Sequence, residues 1–347
     1  MSFNWINPNE ISFNCILLMS TLRLGKLMEE PVRIEGGLLH KMYRVATSDG
    51  IFAVKVLNPE IMKRPDALSN TIHSEKVARA FDGLIPAVVS LEIDGKQVHQ
   101  LGKEYYMVFP WTDGASVFPK DITPHHCEAI GSILGKMHQR NLKVEGIVPE
   151  ENSFELFDWE AYLQRINEPE YSGKEWADAY KKSVNDIRHW NEMACESESY
   201  LSKLTVISHR DLDPKNVMWN DDKPHIIDWE AAGCVNPYQE FLEVINDWAD
   251  DGAGKLVKEK YDALVNAYRG YMDISAVKWD EVFHGSYIGM LGWLEYNVKR
   301  ALGVEVSDEA EILLGENQVI GTIHELYAYQ GKIRQLQEWL GDGKNTI

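Results

Sequence analysis

The 347-residue chain is predicted to be an α+β protein with two lobes: a small β-rich one over residues 32–113 carrying one main helix, and a large, mostly helical one over 114–347. Three observations carry this. Residues 32–57, "VRIEGGLLHKMYRVATSDGIFAVKVL", are short alternating or apolar runs punctuated by Gly36-Gly37 and Asp49-Gly50, which reads as three antiparallel strands. Beyond Gly114 the apolar residues recur at helical spacing over most of the chain. The second half holds one clear strand-like pair, "NVMW" and "HIID", joined by a polar turn at Asn220–Lys223.

In chain order, residues 1–31 match no pattern beyond a short apolar run, Cys15–Met19, and are expected to form an extension packing on the small lobe. After the three strands, Ile72, Val77, Ala80 and Phe81 mark one helix face that stops at Asp82-Gly83. Strands follow near Ala87–Ile93 and Glu104–Phe109, the second broken by Pro110, and a hinge-like exit runs through 107–113. Thr123 as N-cap and Pro124 at the first helical position open the helical lobe. Further helices are expected near Trp159–Ile166, Gly173–Ala194, Gln239–Asp247, Lys255–Tyr271, Trp279–Arg300 and Asp308–Trp339. No fixed-period repeat or low-complexity tract interrupts them.

A formal charge of -19 argues against nucleic acid or an anionic membrane surface as the partner, since both need clustered Lys and Arg. Cys15, Cys127, Cys195 and Cys234 are far apart, which gives neither a zinc ribbon nor a disulfide framework and suits a reducing, cytoplasmic compartment. The Cys15–Met19 run is shorter than the roughly 7–15 residues of a signal core, so no export or spanning segment is expected.

The chemistry concentrates in "SHRDLDPKNVMW", Ser208–Trp219, and "IIDWE", Ile226–Glu230, which bring Asp211, Asn216 and Asp228 into one short stretch. If "NVMW" and "HIID" pair, these three side chains converge at one end of the hairpin. Carboxylate and amide oxygens are hard ligands suited to Mg²⁺, which takes one or two protein carboxylates plus substrate phosphates. A carboxylate off the metal can accept a proton from an attacking hydroxyl. Asp221 and Asp222, by contrast, read as turn residues. The same tripeptide at Asp158-Trp159-Glu160 begins a helical pattern, where Asp158 reads as an N-cap, so the context and not the tripeptide carries the signal.

His209-Arg210-Asp211-Leu212 with Asn216 resembles the kinase catalytic loop, and Asp228-Trp229-Glu230 brings the chain closer to the aminoglycoside phosphotransferase and choline kinase-like family of small-molecule kinases. The resemblance runs by motif from Val32 to Trp248 and implies a protein-kinase-like bilobal fold. It makes Asp211 the base or hydroxyl-orienting residue, Asn216 and Asp228 the Mg²⁺ ligands, and His209 a support of the loop 209–216. Lys55 in "FAVKVL" is similar to the strand lysine that pairs with nucleotide phosphates, and Glu75 is the best-placed helix carboxylate to hold it, ahead of Glu60 and Glu92. Read alone, Lys55 favours a snorkelling strand lysine, and a solvated helix glutamate is the alternative for Glu75. Gly36 and Gly37 stand where backbone approaches phosphate, although "GGLLHKMY" has His40 where the family usually has asparagine. Adenine or guanine would dock on Met107, Val108, Phe109 and Trp111, so ATP and GTP stay equally open as donors. "NPYQEF" departs from the family's D-P-x-x-D-L-A by Asn236 and Glu240, and Glu240 is expected to brace the catalytic loop.

Glu243, Asp247, Trp248 and Glu295 form an acidic, Trp-containing region that is either a substrate site or a set of solvated helix faces. Gly131 and Gly135 in "GSILGKM" read as close helix packing, because the spacing fails a phosphate loop. The implied reaction is Mg-dependent transfer of a nucleotide γ-phosphoryl group to a small-molecule hydroxyl. The acceptor is a cationic aminoglycoside or a metabolite such as choline, ethanolamine, homoserine or a sugar; a quaternary amine would call for an aromatic cage, with Trp248, Trp293 and Tyr296 as candidates. A protein kinase is disfavoured, since Glu240 follows Asp228 too closely for an activation segment. An inactive nucleotide-binding module would have lost one catalytic group, and Lys55, Asp211, Asn216 and Asp228 are all present. Monomer and homodimer are both compatible with the chain.

Overall fold

The structure, a computed structural model, describes residues 14–34, 40–149, 154–304, 306 and 308–341. Gly36 and Gly37 lie outside the described residues. The chain divides into two compact units: one runs up to Ser116 and also takes in Lys215–Ala232, and the other comprises Val117–Pro214 and the chain from Gly233 onward.

The first unit opens with helix α1, Cys15–Thr21, capped by the Asn14 side chain. Strands β1 (Val32–Ile34), β2 (Lys41–Thr47) and β3 (Gly50–Val56) follow, then the one-turn α2 (Pro59–Met62) and α3 (Ala67–Phe81). Strands β4 (His99–Leu101) and β5 (Glu104–Pro110) complete an antiparallel sheet of order β1-β2-β3-β5-β4. Alternation along β2 and β3 sends Tyr43, Val45, Val54 and Val56 to one face, where Cys15, Leu18, Met19 and Leu22 from α1 and its end close a core with Tyr106 and Val108. Burial of these apolar side chains is what fixes the register, since a one-residue slip would turn them all to the opposite face.

The strand expected at Ala87–Ile93 does not form a ladder. That segment makes single bridges, Ala87 to Ile226 and Ile93 to Lys96, and Leu91 N–H donates to Val108 O at 2.7 Å. The sheet is completed instead by β4, whose three residues are too few to show a period.

The hairpin β8 (Val217–Asn220) and β9 (Lys223–Ile226) pairs with the two-residue β6 (Ala115–Ser116). The approach needs Gly114, at φ +132°, because a Cβ there would stand 2.5 Å from Trp219 O. Ile226 N–H donates to Pro86 O and Val88 N–H to Ile226 O, both at 2.8 Å, while Trp229 stacks on Phe81 of α3 at 5.8 Å. These contacts gather residues 215–232 with the sheet, whereas the sequence pattern ran one helical lobe from 114. The boundary therefore falls inside the loop 209–216.

The second unit contains α4 (Pro124–Arg140), α5 (Trp159–Ile166), α6 (Glu175–Leu201), β7 (Val206–Ser208), β10 (Gly233–Val235), α7 (Pro237–Trp248), α8 (Lys258–Arg269), α9 (Trp279–Gly285), α10 (Tyr287–Ala301) and α11 (Glu309–Gly341). Thr123 and His126 close a capping box at the start of α4, and Asp158 caps α5 by accepting from Ala161 N–H at 3.0 Å. The single helix expected over Trp279–Arg300 is two, α9 and α10, meeting at Ser286. Gly131 lets α4 lie against α8, since a Cβ on it would meet Leu264 O at 2.2 Å. β7 and β10 form an antiparallel pair that delivers the chain into the loop beginning at His209.

Candidate active site

In the first unit, Lys55 sits on β3 opposite Met107 of β5. Its ammonium donates to Asp228 Oδ1 at 3.0 Å and makes a short contact with Glu230 Oε1. The lysine side chain is only 12% exposed. Burial alone would lower its pKa, but the charge of Asp228 and then of Glu230 outweighs burial and raises it, so Lys55 stays cationic. Glu230 also meets His40 Nε2 at 3.1 Å. Burial would raise the Glu230 pKa, yet the His40 hydrogen bond and the Lys55 charge reverse this and hold it at about 2.

Glu75, expected to hold Lys55, makes no ion pair with it. It is 4% exposed and accepts from Ser90 N–H at 3.1 Å and Ser90 Oγ at 2.6 Å. Burial pushes its carboxyl pKa up, against the Ser90 hydrogen bonds and the nearby Lys55 and Arg79 charges. The pairing expectation is corrected because Ser90, brought in by the irregular 87–93 segment, satisfies Glu75 first.

Asn216 ends a turn of 3₁₀ helix at Pro214–Asn216, and its carbonyl accepts from Ile227 N–H at 2.9 Å. That bond extends the Val217–Ile226 pairing of the hairpin by one step and sets Asn216 beside the strand that delivers Asp228. Asp228 has φ +60°, a left-handed conformation that a non-glycine residue holds only when its surroundings fix it. Its side chain is 44% exposed, which leaves carboxylate oxygen open to a ligand. Among the described residues no three His, Cys, Asp or Glu side chains group as a metal site. The exposed Asp228 carboxylate, with buried Asn216 on the adjoining strand end, nonetheless has the oxygen chemistry of a hard divalent cation's ligands, the rest of the shell being phosphate and water.

Met107 and Val108 are buried at 2% and 0% exposure, and with Phe109 they are paired strand residues of β5. Val108 packs in the α1 core and Met107 against Leu57 and Val98. Trp111 donates its indole N–H to Asp113 at 2.9 Å and lies under Arg44 at 5.5 Å. The connection expected to begin at Met107 thus begins after Pro110.

In the second unit, the loop leaves β7 through His209, fully buried, and Arg210, at φ +66°. Asp211 N–H donates to His209 Nδ1 at 3.3 Å. Glu240, 1% exposed on α7, accepts from Arg210 N–H at 2.6 Å, which pins the strained residue next to Asp211. The other Glu240 oxygen lies 2.7 Å from His138 Nε2, and His138 Nδ1 lies 2.8 Å from Tyr268 Oη. Burial raises the Tyr268 pKa well above the usual tyrosine value, so its hydroxyl stays protonated beside His138 Nδ1, while the Glu240 carboxylate accepts from His138 Nε2. Burial would raise the Glu240 pKa as well, but the His138 hydrogen bond and charge, then Ser208 and Arg210, bring it below the usual value. Glu240 carries more than the sequence reading gave it, and His138 and Tyr268 are additions: both lie on helical faces that read as ordinary core.

Of the substrate candidates, Trp248 is fully buried and donates its indole N–H to Leu212 O at 2.7 Å, so it braces the loop and lines no cage. Glu295 is also spoken for, by Tyr162 in a short contact and by Lys299 at 2.6 Å. Trp293 and Tyr296 are exposed on α10, 5.6 Å apart, with Arg300 over Tyr296. Glu243 and Asp247 remain accessible on α7. Protein packed around Glu243, then the charges of Glu240, Asp247 and Asp211, push its carboxyl up to about 8 against the pull of Arg210. Asp211 and Glu243 therefore share one acidic neighbourhood.

A model of the phosphotransferase enzyme family, APH, matches residues 30–274. The chain belongs to this family. Among the phosphotransferase's relatives are a homoserine kinase from Janthinobacterium sp. (strain Marseille), 23% identical over 66% of this chain and 68% of the relative, and one from Polaromonas naphthalenivorans (strain CJ2), 25% identical over 77% and 81%. Its fold is similar to that of a spectinomycin phosphotransferase solved with ADP and spectinomycin, at TM-score 0.68 and 13% identity over 92% of this chain and 99% of that one. It is also similar to a Plasmodium vivax ethanolamine kinase, at TM-score 0.55 and 17% identity over 84% and 81%. The phosphotransferase has the kinase-like fold, a β-sheet region followed by a mostly helical remainder. No helix among the described residues is long and apolar enough to cross a membrane.

Proposed function

We propose that the chain transfers the γ-phosphoryl group of ATP or GTP, with Mg²⁺, to a hydroxyl of a small molecule that also carries an ammonium group. The observation that carries this reading is the 3.0 Å contact of Lys55 with Asp228, 173 residues away, at the hairpin end where Asn216 also stands. A cation and a carboxylate with hard-ligand chemistry held together suit a nucleotide's phosphates and their divalent ion.

Lys55 binds phosphate oxygens as a permanently charged donor, and Asn216 and Asp228 would hold the cation, which neutralises phosphate charge when bound. Asp211, its backbone fixed through Arg210 and Glu240, orients the acceptor hydroxyl and takes its proton. Little covalent chemistry is asked of the protein beyond positioning. On the acceptor side, Asp247 and Asp211 favour an ammonium-bearing alcohol, whose charge would draw the proton off the raised Glu243 carboxyl beside them. Homoserine, ethanolamine and aminoglycosides all combine a hydroxyl with an amine, in keeping with the names of the relatives and fold neighbours. A quaternary amine held in an aromatic cage is less well supported, since Trp248 is buried.

The test is a transfer screen with γ-labelled ATP and GTP, with and without Mg²⁺, against homoserine, ethanolamine, choline, aminoglycosides and sugars. Mg-dependent labelling of an amine-bearing alcohol is expected. Tight Mg-nucleotide binding with no acceptor labelled in any class would reject the reading.

A further inference from the structure

His40 and Glu230 are not idle neighbours of Lys55. Asn58 commits its side chain to the cap of α2, with Oδ1 accepting from Glu60 N–H at 2.9 Å, and offers its own backbone N–H to His40 Nδ1 at 2.9 Å. Because Nδ1 accepts, the ring's proton is on Nε2, and that N–H points at Glu230 Oε1, 3.1 Å away. The same oxygen receives the Lys55 ammonium. The His40 side chain is only 8% exposed, so packing holds the ring in this bridge. Glu75, the alternative partner, is taken by Ser90.

The arrangement also resolves a conflict of duties. Asp228 bonds Lys55 in this structure, and a cation on the same carboxylate would compete with the ammonium for its charge. A second carboxylate keeps the ammonium anchored under that competition.

We infer that Glu230 is the carboxylate that orients Lys55 toward nucleotide phosphate, and that His40 is the positioning residue that holds Glu230 on the lysine. The inference rests on the nucleotide-binding reading above. It gives the residue after Asp228-Trp229 a task that the helix glutamate was expected to perform, and it explains how a histidine serves at position 40.

The experiment measures Mg-ATP dissociation constants by calorimetry on the full chain, with KM for ATP, kcat and melting temperature alongside. Glu230→Gln is expected to weaken binding about tenfold and His40→Asn about fivefold, the scale of losing one charge-assisted hydrogen bond. Asparagine can still accept from Asn58 N–H but does not reach Glu230. His40→Gln, which puts an amide N–H near the position of Nε2, should stay within about threefold of wild type. In the double variant His40→Asn with Glu230→Gln, binding should be no weaker than in Glu230→Gln alone, because both substitutions cut one chain of contacts. A merely structural histidine would lower the melting temperature and leave the dissociation constant and KM alone.

Multiplicative losses in the double variant, or a larger loss from Glu75→Gln than from Glu230→Gln, overturn the inference. Lys55→Met separates the two levels. If wild type binds Mg-ATP and Lys55→Met does not, the nucleotide reading stands, and unchanged binding in His40→Asn then defeats the positioning role alone. If wild type fails to bind, or Lys55→Met binds as well as wild type, both readings fall.

Discussion

Glu240 joins the backbone of Arg210, held at φ +66°, to the ring of His138, whose other nitrogen meets Tyr268. Glu240→Ala removes both hydrogen bonds from a residue only 1% exposed and leaves the buried His138 ring and the part-buried Arg210 N–H without this acceptor. Breaking a buried charged pair by deleting one partner costs about 3–5 kcal/mol. Glu240→Gln keeps the shape and one acceptor, so one hydrogen bond falls from charged to neutral at about 1 kcal/mol and the other donor faces the amide N–H at a further ~1–3 kcal/mol. Denaturant unfolding of each variant at neutral pH measures these losses.

Turnover reports the other half of the argument. With Arg210 free to leave the left-handed region, Asp211 loses its position, and kcat should fall by at least about tenfold in Glu240→Ala. Nucleotide affinity should hold, because Lys55, Asn216 and Asp228 belong to the other unit. The pH dependence has a definite sign. The Glu240 pKa is depressed in the folded chain, so its stabilisation is complete above the ordinary value of 4.5 and is lost as pH falls through the folded value. The stability gap between wild type and Glu240→Gln should therefore narrow below about pH 4.5. A Glu240→Ala variant within about 1 kcal/mol of wild type, with kcat unchanged, would refute the bracing role.

Two further outcomes follow from neighbouring residues. Glu243 has a folded pKa raised to about 8, so between 4.5 and 8 the folded chain holds a proton that the unfolded chain has shed, and stability falls as pH rises through that window. Glu243→Gln should flatten this slope and gain most on wild type near pH 8; water at the accessible edge screens part of the effect, and identical slopes would remove the proton from the account. Gly131→Ala places a Cβ 2.2 Å from Leu264 O, which is backbone and cannot swing away, so α4 and α8 must separate at a cost of about 1–3 kcal/mol, read as a lower melting temperature. An unchanged melting temperature would show that the two helices do not depend on that approach.

Much of this molecule is written locally and was therefore readable. Lys55 lies between apolar strand residues, Thr123-Pro124 announces α4, and the polar turn between "NVMW" and "HIID" announces the β8–β9 hairpin that carries the proposed Asn216 and Asp228. What escaped depends on partners far apart in the chain. Glu75 looked like the lysine's partner because nothing near it in sequence says that Ser90 will claim it, and Glu230 is 175 residues from the ammonium that it holds. His138 on α4 and Tyr268 on α8 carry no sign that they will form a relay to Glu240. Trp248 and Glu295 looked like ligand residues by type, and burial assigned them to Leu212 and to Tyr162 with Lys299. The 87–93 segment has strand-like composition but spends its hydrogen bonds on Ile226 and Val108 separately, a choice only the assembled unit reveals.

The central claim, that Asp211 serves a phosphoryl transfer while separate residues hold the nucleotide, is tested most directly by Asp211→Asn assayed with the acceptor that wild type labels. Removing a general base of this kind is expected to lower kcat by about 10²–10⁴-fold. The Mg-ATP dissociation constant should stay within about twofold of wild type, because the amide keeps the shape and Lys55, Asn216 and Asp228 are untouched. Retained turnover in Asp211→Asn, or loss of nucleotide binding in step with turnover, would contradict the account.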